Sequence, residues 1–200
     1  MTDIPTEQMN PLRKLGLFGG SFDPIHHGHL ILAREALESL GLDRVIFIPS
    51  GISPHKLDRP PAPAELRCKM LEAALRDEAG LEWDDCEIRR PGPSFAIDTV
   101  REMAARHPGA ELFFFIGEDN LASLHTWKDV ALLKTMVKFV VMSRGFAAPA
   151  PDQDYPVISR PIDISSTEIR NRIARGLSVR YLVPDCACEI IFQHRLYRND

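Results

Sequence analysis

His26-His27-Gly28-His29 places three imidazoles within four positions, just after a glycine pair, Gly19-Gly20, and a turn-forming Asp23-Pro24. The stretch from Gly19 to Leu30 joins an apolar run to an amphipathic helix. Glycines at a strand-to-helix turn let backbone N–H groups approach an anion closely, and the helix that follows aims its positive end at the same place. His26 and His29 stand three apart, so both rings can face that anion, with Gly28 leaving room between them. An imidazole, neutral or protonated, donates a hydrogen bond to a phosphate oxygen and does so more strongly as charge accumulates there during reaction. The stretch therefore reads as a phosphate site. A zinc site is the rival chemistry, but no HExxH pattern or acidic third ligand completes the set, so no tightly bound protein metal is expected. Magnesium arriving on a nucleotide fits better, since it keeps its waters and uses the substrate's phosphates.

The elements that must position these residues follow from periodicity. Leu15 to Phe18 reads as a buried strand running into the glycines, and Leu30, Ala33, Leu37 and Leu40 form one helical face that Gly41 ends. Val45 to Ile48 is a second strand, parallel to the first through the helical crossover. Ser50 to Pro63 is a long proline-rich loop of the length that is often functional. A helix through Leu66, Met70 and Leu75 comes next, then a polar, partly alternating strand over Glu82 to Ile88. Another helix carries Ile97, Val100 and Ala104. Leu112 to Ile116, with three consecutive phenylalanines, predicts a central strand buried on both faces. Val137 to Met142 is a further strand and Val157 to Ile164 a last extended piece. Ser165 and Glu168 have capping-box spacing, opening a helix that runs to Gly176, and Pro184 starts a closing helix. This alternation predicts an α/β chain with a doubly wound, mostly parallel sheet and a small C-terminal helical end, residues 14–200 forming one domain behind a flexible leader, residues 1–13. Ligands of such sheets bind beyond the carboxyl ends of the strands, where the stretches after Phe18, Pro49 and Ile116 all lie.

Bulk properties narrow the partners. A net charge of −4 with 44% hydrophobic residues describes an ordinary globule. It argues against a nucleic-acid backbone as main partner, which usually leaves a basic stripe. No apolar run approaches the ~20 residues that span a bilayer, and the first residues lack the apolar middle of a signal peptide. No membrane association and a cytoplasmic location are expected. The four cysteines, without CxxC spacing, are expected as free thiols.

Gly19 to Leu30 resembles the signature of the nucleotidyltransferase superfamily marked by HxGH, paired here with a distal Ile164-Ser165-Ser166-Thr167-Glu168-Ile169-Arg170 of the ISSTxxR type. Within that superfamily the chain is most similar to the bacterial nicotinate mononucleotide adenylyltransferases. Four intermediate segments fit in order: Pro49 to Lys56; Pro93-Ser94-Phe95 to Thr99; Phe115 to Asp119 with Thr126-Trp127-Lys128; and Tyr181 to Pro184 with Leu196-Tyr197. The resemblance implies a Rossmann-like fold and transfer of AMP from ATP, with Mg2+, to nicotinate mononucleotide. It further implies that His26, His29 and Arg170 are catalytic. Gly19, Gly20, Ser21, Phe22, Gly117, Asp119, Ser165, Ser166 and Thr167 would join them around ATP. His55, Lys56, Ser94, Phe95, Thr99, Asp119 and Trp127 would hold the mononucleotide, with Trp127 stacked on the pyridine.

The sequence departs from the family pattern at Ser53, at Glu118 and at Ser143-Arg144-Gly145, positions that bear on fine specificity more than on reaction class. Phosphopantetheine adenylyltransferase is the enzyme alternative, sharing HxGH but not the Pro54-His55-Lys56 and Thr126-Trp127 matches. A non-catalytic nucleotide sensor on the same fold is the alternative of another class. A NAD-dependent dehydrogenase is weaker, because the first turn lacks full GxGxxG spacing.

Overall fold

A computed structural model describes residues 13–51, 60–145 and 155–198. The expected leader lies almost wholly outside them, as do His55 and Lys56. In chain order the elements are β1 (Lys14–Gly20), α1 (His27–Ser39), β2 (Arg44–Pro49), α2 (Ala64–Leu75), β3 (Leu81–Trp83), α3 (Cys86–Arg89), α4 (Ala96–Arg106), β4 (Glu111–Gly117), α5 (Glu118–Leu121), α6 (Val130–Met136), β5 (Lys138–Ser143), β6 (Val157–Ser159), α7 (Ser166–Ala174) and α8 (Asp185–Gln193). A 3-10 turn, Leu124–Thr126, precedes α6.

The six strands form one sheet in the order β3-β2-β1-β4-β5-β6, every neighbouring pair parallel. The strand order reverses between β1 and β4, which opens a crevice at their carboxyl ends. Those ends are Gly19-Gly20 and Gly117, the glycines that the sequence marks. Side chains alternate faces along each strand, so the phenylalanine run divides. Phe113 and Phe115 pack in one core with Leu32, Ala36, Met70 and Ile169, whereas Phe114 packs with Ile97, Val100 and Met103 on the other side of the sheet. Burying each such side chain contributes roughly 1.5–3 kcal/mol. The C-terminal helices α7 and α8 join the same core as α1 and α2.

Several expectations are corrected. The polar stretch from Glu82 to Ile88 is a strand only over Leu81–Trp83. The Asp84 side chain then accepts a hydrogen bond from the Cys86 backbone N–H at 2.8 Å and turns the chain into α3, a local competition that alternation does not reveal. The last extended piece is a strand only over Val157–Ser159, with Pro161 soon after removing a donor. Helix α6 has no counterpart in the periodicity reading. Helix α1 begins at His27, so the histidine motif occupies its first turn. Ser165 does cap α7, its Oγ accepting from the Glu168 N–H at 3.1 Å, but the Glu168 side chain lies 3.9 Å from Arg172. Among the described residues no helix is long and apolar enough to cross a membrane.

Gly16, in the middle of β1, is required by close approach. A Cβ there would lie 2.6 Å from Cζ of Phe115 and 3.0 and 3.1 Å from the Leu42 and Val45 side chains. All three neighbours are buried and have little room to yield. Gly16→Ala is expected to lower the unfolding free energy by about 1–3 kcal/mol through overpacking, read as a lower urea midpoint at unchanged slope.

Candidate active site

The turn after β1 is built by a buried cation. Arg67 of α2 is 1% exposed and donates to three backbone carbonyls: Ser21 at 2.7 Å, Ser50 at 2.9 Å and Ala62 at 3.0 Å. It thus joins the turn after β1, the end of β2 and the approach to α2. Burial lowers its pKa from the ordinary guanidinium range, and the charge of Asp23 opposes that shift. Asp23, 7% exposed, is the second node. Its Oδ1 accepts from the Ala62 N–H at 3.0 Å and from the Tyr197 hydroxyl at 2.7 Å, while its carbonyl accepts from Arg170 Nη1 at 2.7 Å. Between these nodes Phe22 takes a left-handed conformation, φ 45°. Its buried ring meets Phe18, Phe47 and His29.

His26 and His29 stack with ring centroids 3.6 Å apart. The His26 backbone N–H donates to His29 Nδ1 at 3.3 Å, which in a neutral ring leaves the proton on Nε2. The His26 ring is 1% exposed. Burial first and then the Arg144 guanidinium lower its pKa to about 3, so it is a neutral imidazole at pH 7. Its buried Nδ1 has no hydrogen-bond partner among the described residues. Gly28 is needed beneath this ring, because a Cβ would sit 3.0 Å from His26 Nδ1 and 3.5 Å from the Ile164 carbonyl.

Two cavities open here and share Phe18 and Gly117 as walls. One, about 530 Å³, is lined by His26, Gly28, His29, Asp119, Arg144 and Ser165, among others. The other, about 260 Å³, is lined by Gly19, Gly20, Glu87, Ser94, Phe95 and Trp127, among others. Trp127 stands edge-on to Phe114 and Phe139, and Lys128 Nζ lies 4.6 Å from the centre of the Phe95 ring.

The cytidylyltransferase-like family matches residues 17–172. The chain is 42% identical over 188 residues to a protein of Methylacidiphilum infernorum named a probable nicotinate-nucleotide adenylyltransferase, covering 92% of each. A Thermus thermophilus protein of the same name is 43% identical over 187 residues, covering 92% of this chain and all of the relative. In fold, the chain is similar to a Plasmodium falciparum nicotinic acid mononucleotide adenylyltransferase complexed with NaAD, with TM-score 0.78, 17% identity and coverage of 92% and 97% of the two chains. The chain belongs to the nicotinate-nucleotide adenylyltransferase family.

Against that family's expected residues the structure divides. His26, His29, Gly117, Asp119 and Ser165 meet around the larger cavity. Gly19, Gly20 and Ser21, expected at ATP, line the smaller one, with Ser94, Phe95 and Trp127. Five residues line neither cavity. Phe22 is core. The Ser166 hydroxyl donates to the Pro24 carbonyl at 3.0 Å. Thr167 Oγ1 accepts from Arg170 Nη2 at 3.1 Å, and Arg170 itself is held against the Asp23 carbonyl. Thr99 is fully buried behind the pocket wall, where its hydroxyl donates to Glu87 Oε1 at 2.6 Å. Sequence reasoning misses Arg67 and Glu87, since each reads as one more charge on a polar face. Among the described residues no group of three or more His, Cys, Asp and Glu is placed to hold a metal ion.

Because the folded pKa of His26 lies below its ordinary 6.5, the unfolded chain takes the proton first as pH falls. The stability linked to the neutral ring is present above pH 6.5 and is lost toward about pH 3. Urea unfolding at a series of pH values is expected to show a loss of up to about 1.4 kcal/mol per pH unit from this group across that window. A His26→Gln variant should lack that component.

Proposed function

We propose that this chain transfers AMP from ATP to nicotinate mononucleotide, giving nicotinate adenine dinucleotide and pyrophosphate in NAD biosynthesis. The observation that carries the reading is the pair of cavities meeting at Phe18 and Gly117, beside the turn that holds His26 and His29. ATP takes the larger cavity with its phosphates toward the first turn of α1, where the helix's positive end favours anions. Asp119 accepts from ribose hydroxyls. Magnesium enters with ATP, held by phosphate oxygens and water.

The mononucleotide takes the smaller cavity. Trp127 offers the wall against which the pyridine stacks, and the start of α4 at Ser94, Phe95 and Ala96 offers backbone N–H groups to a ring carboxylate, a preference for an anion that the helix end supports. We assign the mononucleotide's phosphate to His55 and Lys56, which lie outside the described residues, on the strength of the Pro54-His55-Lys56 match. The free cysteines Cys68, Cys86, Cys186 and Cys188 fit a reducing cytoplasm.

The chemistry asks little of the side chains beyond position and charge. A phosphate oxygen of the mononucleotide, already ionised, forms a bond to the α-phosphorus of ATP. The bond to the β-bridging oxygen breaks and its electron pair leaves on pyrophosphate. No proton transfer is needed, so no general base is required. A neutral His26 and the Nε2–H of His29 donate to oxygens whose charge grows in the transition state. Arg170, released from the Asp23 carbonyl, neutralises the departing phosphates, with Ser166 and Thr167 beside it.

Pyrophosphate release should be measured with ATP and magnesium against nicotinate mononucleotide, its amide and phosphopantetheine. Fastest turnover with a pyridine mononucleotide is expected, and faster turnover with phosphopantetheine would overturn the reading. His29→Ala should lower kcat about 100- to 1000-fold while the far-UV circular dichroism stays that of the folded protein; near-wild-type kcat would remove His29 from the mechanism.

A further inference from the structure

Arg170 must leave its resting place to reach the departing phosphates. It lines neither cavity, and two of its nitrogens are bonded elsewhere, Nη1 to the Asp23 carbonyl at 2.7 Å and Nη2 to Thr167 Oγ1 at 3.1 Å. How readily it leaves depends on the Asp23 side chain. Carboxylate Oδ2 lies 3.8 Å from Arg170 Nη1, within ion-pair reach but beyond a hydrogen bond. The two side chains are only 20% and 10% exposed, so solvent screens the attraction little. A small turn of the carboxylate would convert this contact into a direct charge-assisted bond and hold Arg170 in place.

The restraint on that turn is at the other oxygen. Oδ1 accepts from the Ala62 N–H at 3.0 Å and from the Tyr197 hydroxyl at 2.7 Å. Tyr197 is 174 positions from Asp23, and the chain takes an unusual path to deliver it. Beyond α8, Arg195 and Tyr197 both adopt the left-handed conformation, φ 51° and 63°, which is unfavourable for residues with a Cβ. Between them the Leu196 N–H donates to the Ile191 carbonyl at 2.9 Å, and Leu196 and Tyr197 both pack against the core. Burial and the neighbouring charge of Asp23 push the Tyr197 pKa up, so its hydroxyl keeps the proton and remains a donor. Tyr197 lines neither cavity.

We propose that Tyr197 is a positioning residue for the transfer: by holding Asp23 Oδ1 it keeps Oδ2 off Arg170 and leaves that arginine free to move to the phosphates. The inference rests on Arg170 serving the departing phosphates. Without the hydroxyl, Oδ1 retains the Ala62 N–H, and the carboxylate's unmet charge turns toward a nearby cation. Arg67, a second cation close to Asp23, already has each of its three nitrogens bonded to a carbonyl, which leaves Arg170 to receive it.

Tyr197→Phe removes the hydroxyl alone. With nicotinate mononucleotide saturating, kcat/KM for ATP is expected to fall about tenfold, the size of one hydrogen bond to a charged group, while KM for the mononucleotide stays unchanged. In an Arg170→Ala background the same change should have no further effect, because the tyrosine acts through Arg170. A merely structural role gives a fall of equal size in both backgrounds. That result, or a wild-type kcat/KM in Tyr197→Phe, would overturn the proposal. If the variant folds poorly, the wild type decides. With the three tyrosines labelled with 13C at Cζ, the Tyr197 resonance should shift when MgATP is added without an acceptor, as Arg170 leaves Asp23, and should stay in place in Arg170→Ala. An unmoved Tyr197 resonance in wild type would equally overturn the proposal. Turnover of neither the nicotinate nor the nicotinamide mononucleotide by wild type would instead overturn the reading of the reaction, and the inference with it.

Discussion

The arrangement depends on one buried guanidinium. Removing an arginine from water costs several kcal/mol unless its donors are met, and Arg67 meets them with carbonyls of Ser21, Ser50 and Ala62. Those three carbonyls belong to segments distant in sequence. A planar fork with fixed donor directions holds them in one relative geometry. The turn after β1 can then be both irregular and reproducible, which a phosphate site requires. Asp23 completes the junction from the other side, linking the Ala62 N–H, the Tyr197 hydroxyl and, through its carbonyl, Arg170. The last turn of the chain is in this way connected to the first.

The histidines show how the same turn tunes chemistry by burial. His26 is neutral first because it is enclosed and then because the Arg144 guanidinium lies near it. A neutral donor stabilises a developing charge without first competing with solvent for a proton, and the low-dielectric setting that costs His26 its charge strengthens the hydrogen bonds it makes. The carboxyl of Glu87 shows the converse in the neighbouring cavity. There burial pushes the carboxyl's pKa up, against the hydrogen bond it accepts from Thr99. Each cavity thus has one ionisable group whose charge the fold disfavours.

Much of this is legible in the sequence. The strand, glycine turn and helix around Gly19 to His29 are readable because each signal is local: an apolar run, residues that relieve steric crowding, and a helical period. The Ser165 cap is readable for the same reason, since a capping hydroxyl and its N–H stand three positions apart. The stretch Glu82 to Ile88 misleads because an alternating pattern of polar and apolar residues also fits a strand end followed by one helical turn, and the Asp84 side chain decides between them. Thr99 is expected in the substrate wall because its neighbours Ser94 and Phe95 are there. One helical turn further on, its side chain points behind that wall instead.

Arg170 and Trp127 stand out only through the resemblance of their motifs to a family's, whereas residue type and short spacing are enough to name donors for phosphate at the start of α1 and the capped start of α7. Such signals work because neighbouring residues control local conformation through sterics and short-range hydrogen bonds. Which of these groups share a cavity, that Arg67 and Glu87 are buried, and that Arg170 rests on the Asp23 carbonyl emerge only when the chain is folded. Those facts depend on strand order. The reversal between β1 and β4 brings the ends of these two strands side by side, and no local pattern encodes which strands become neighbours.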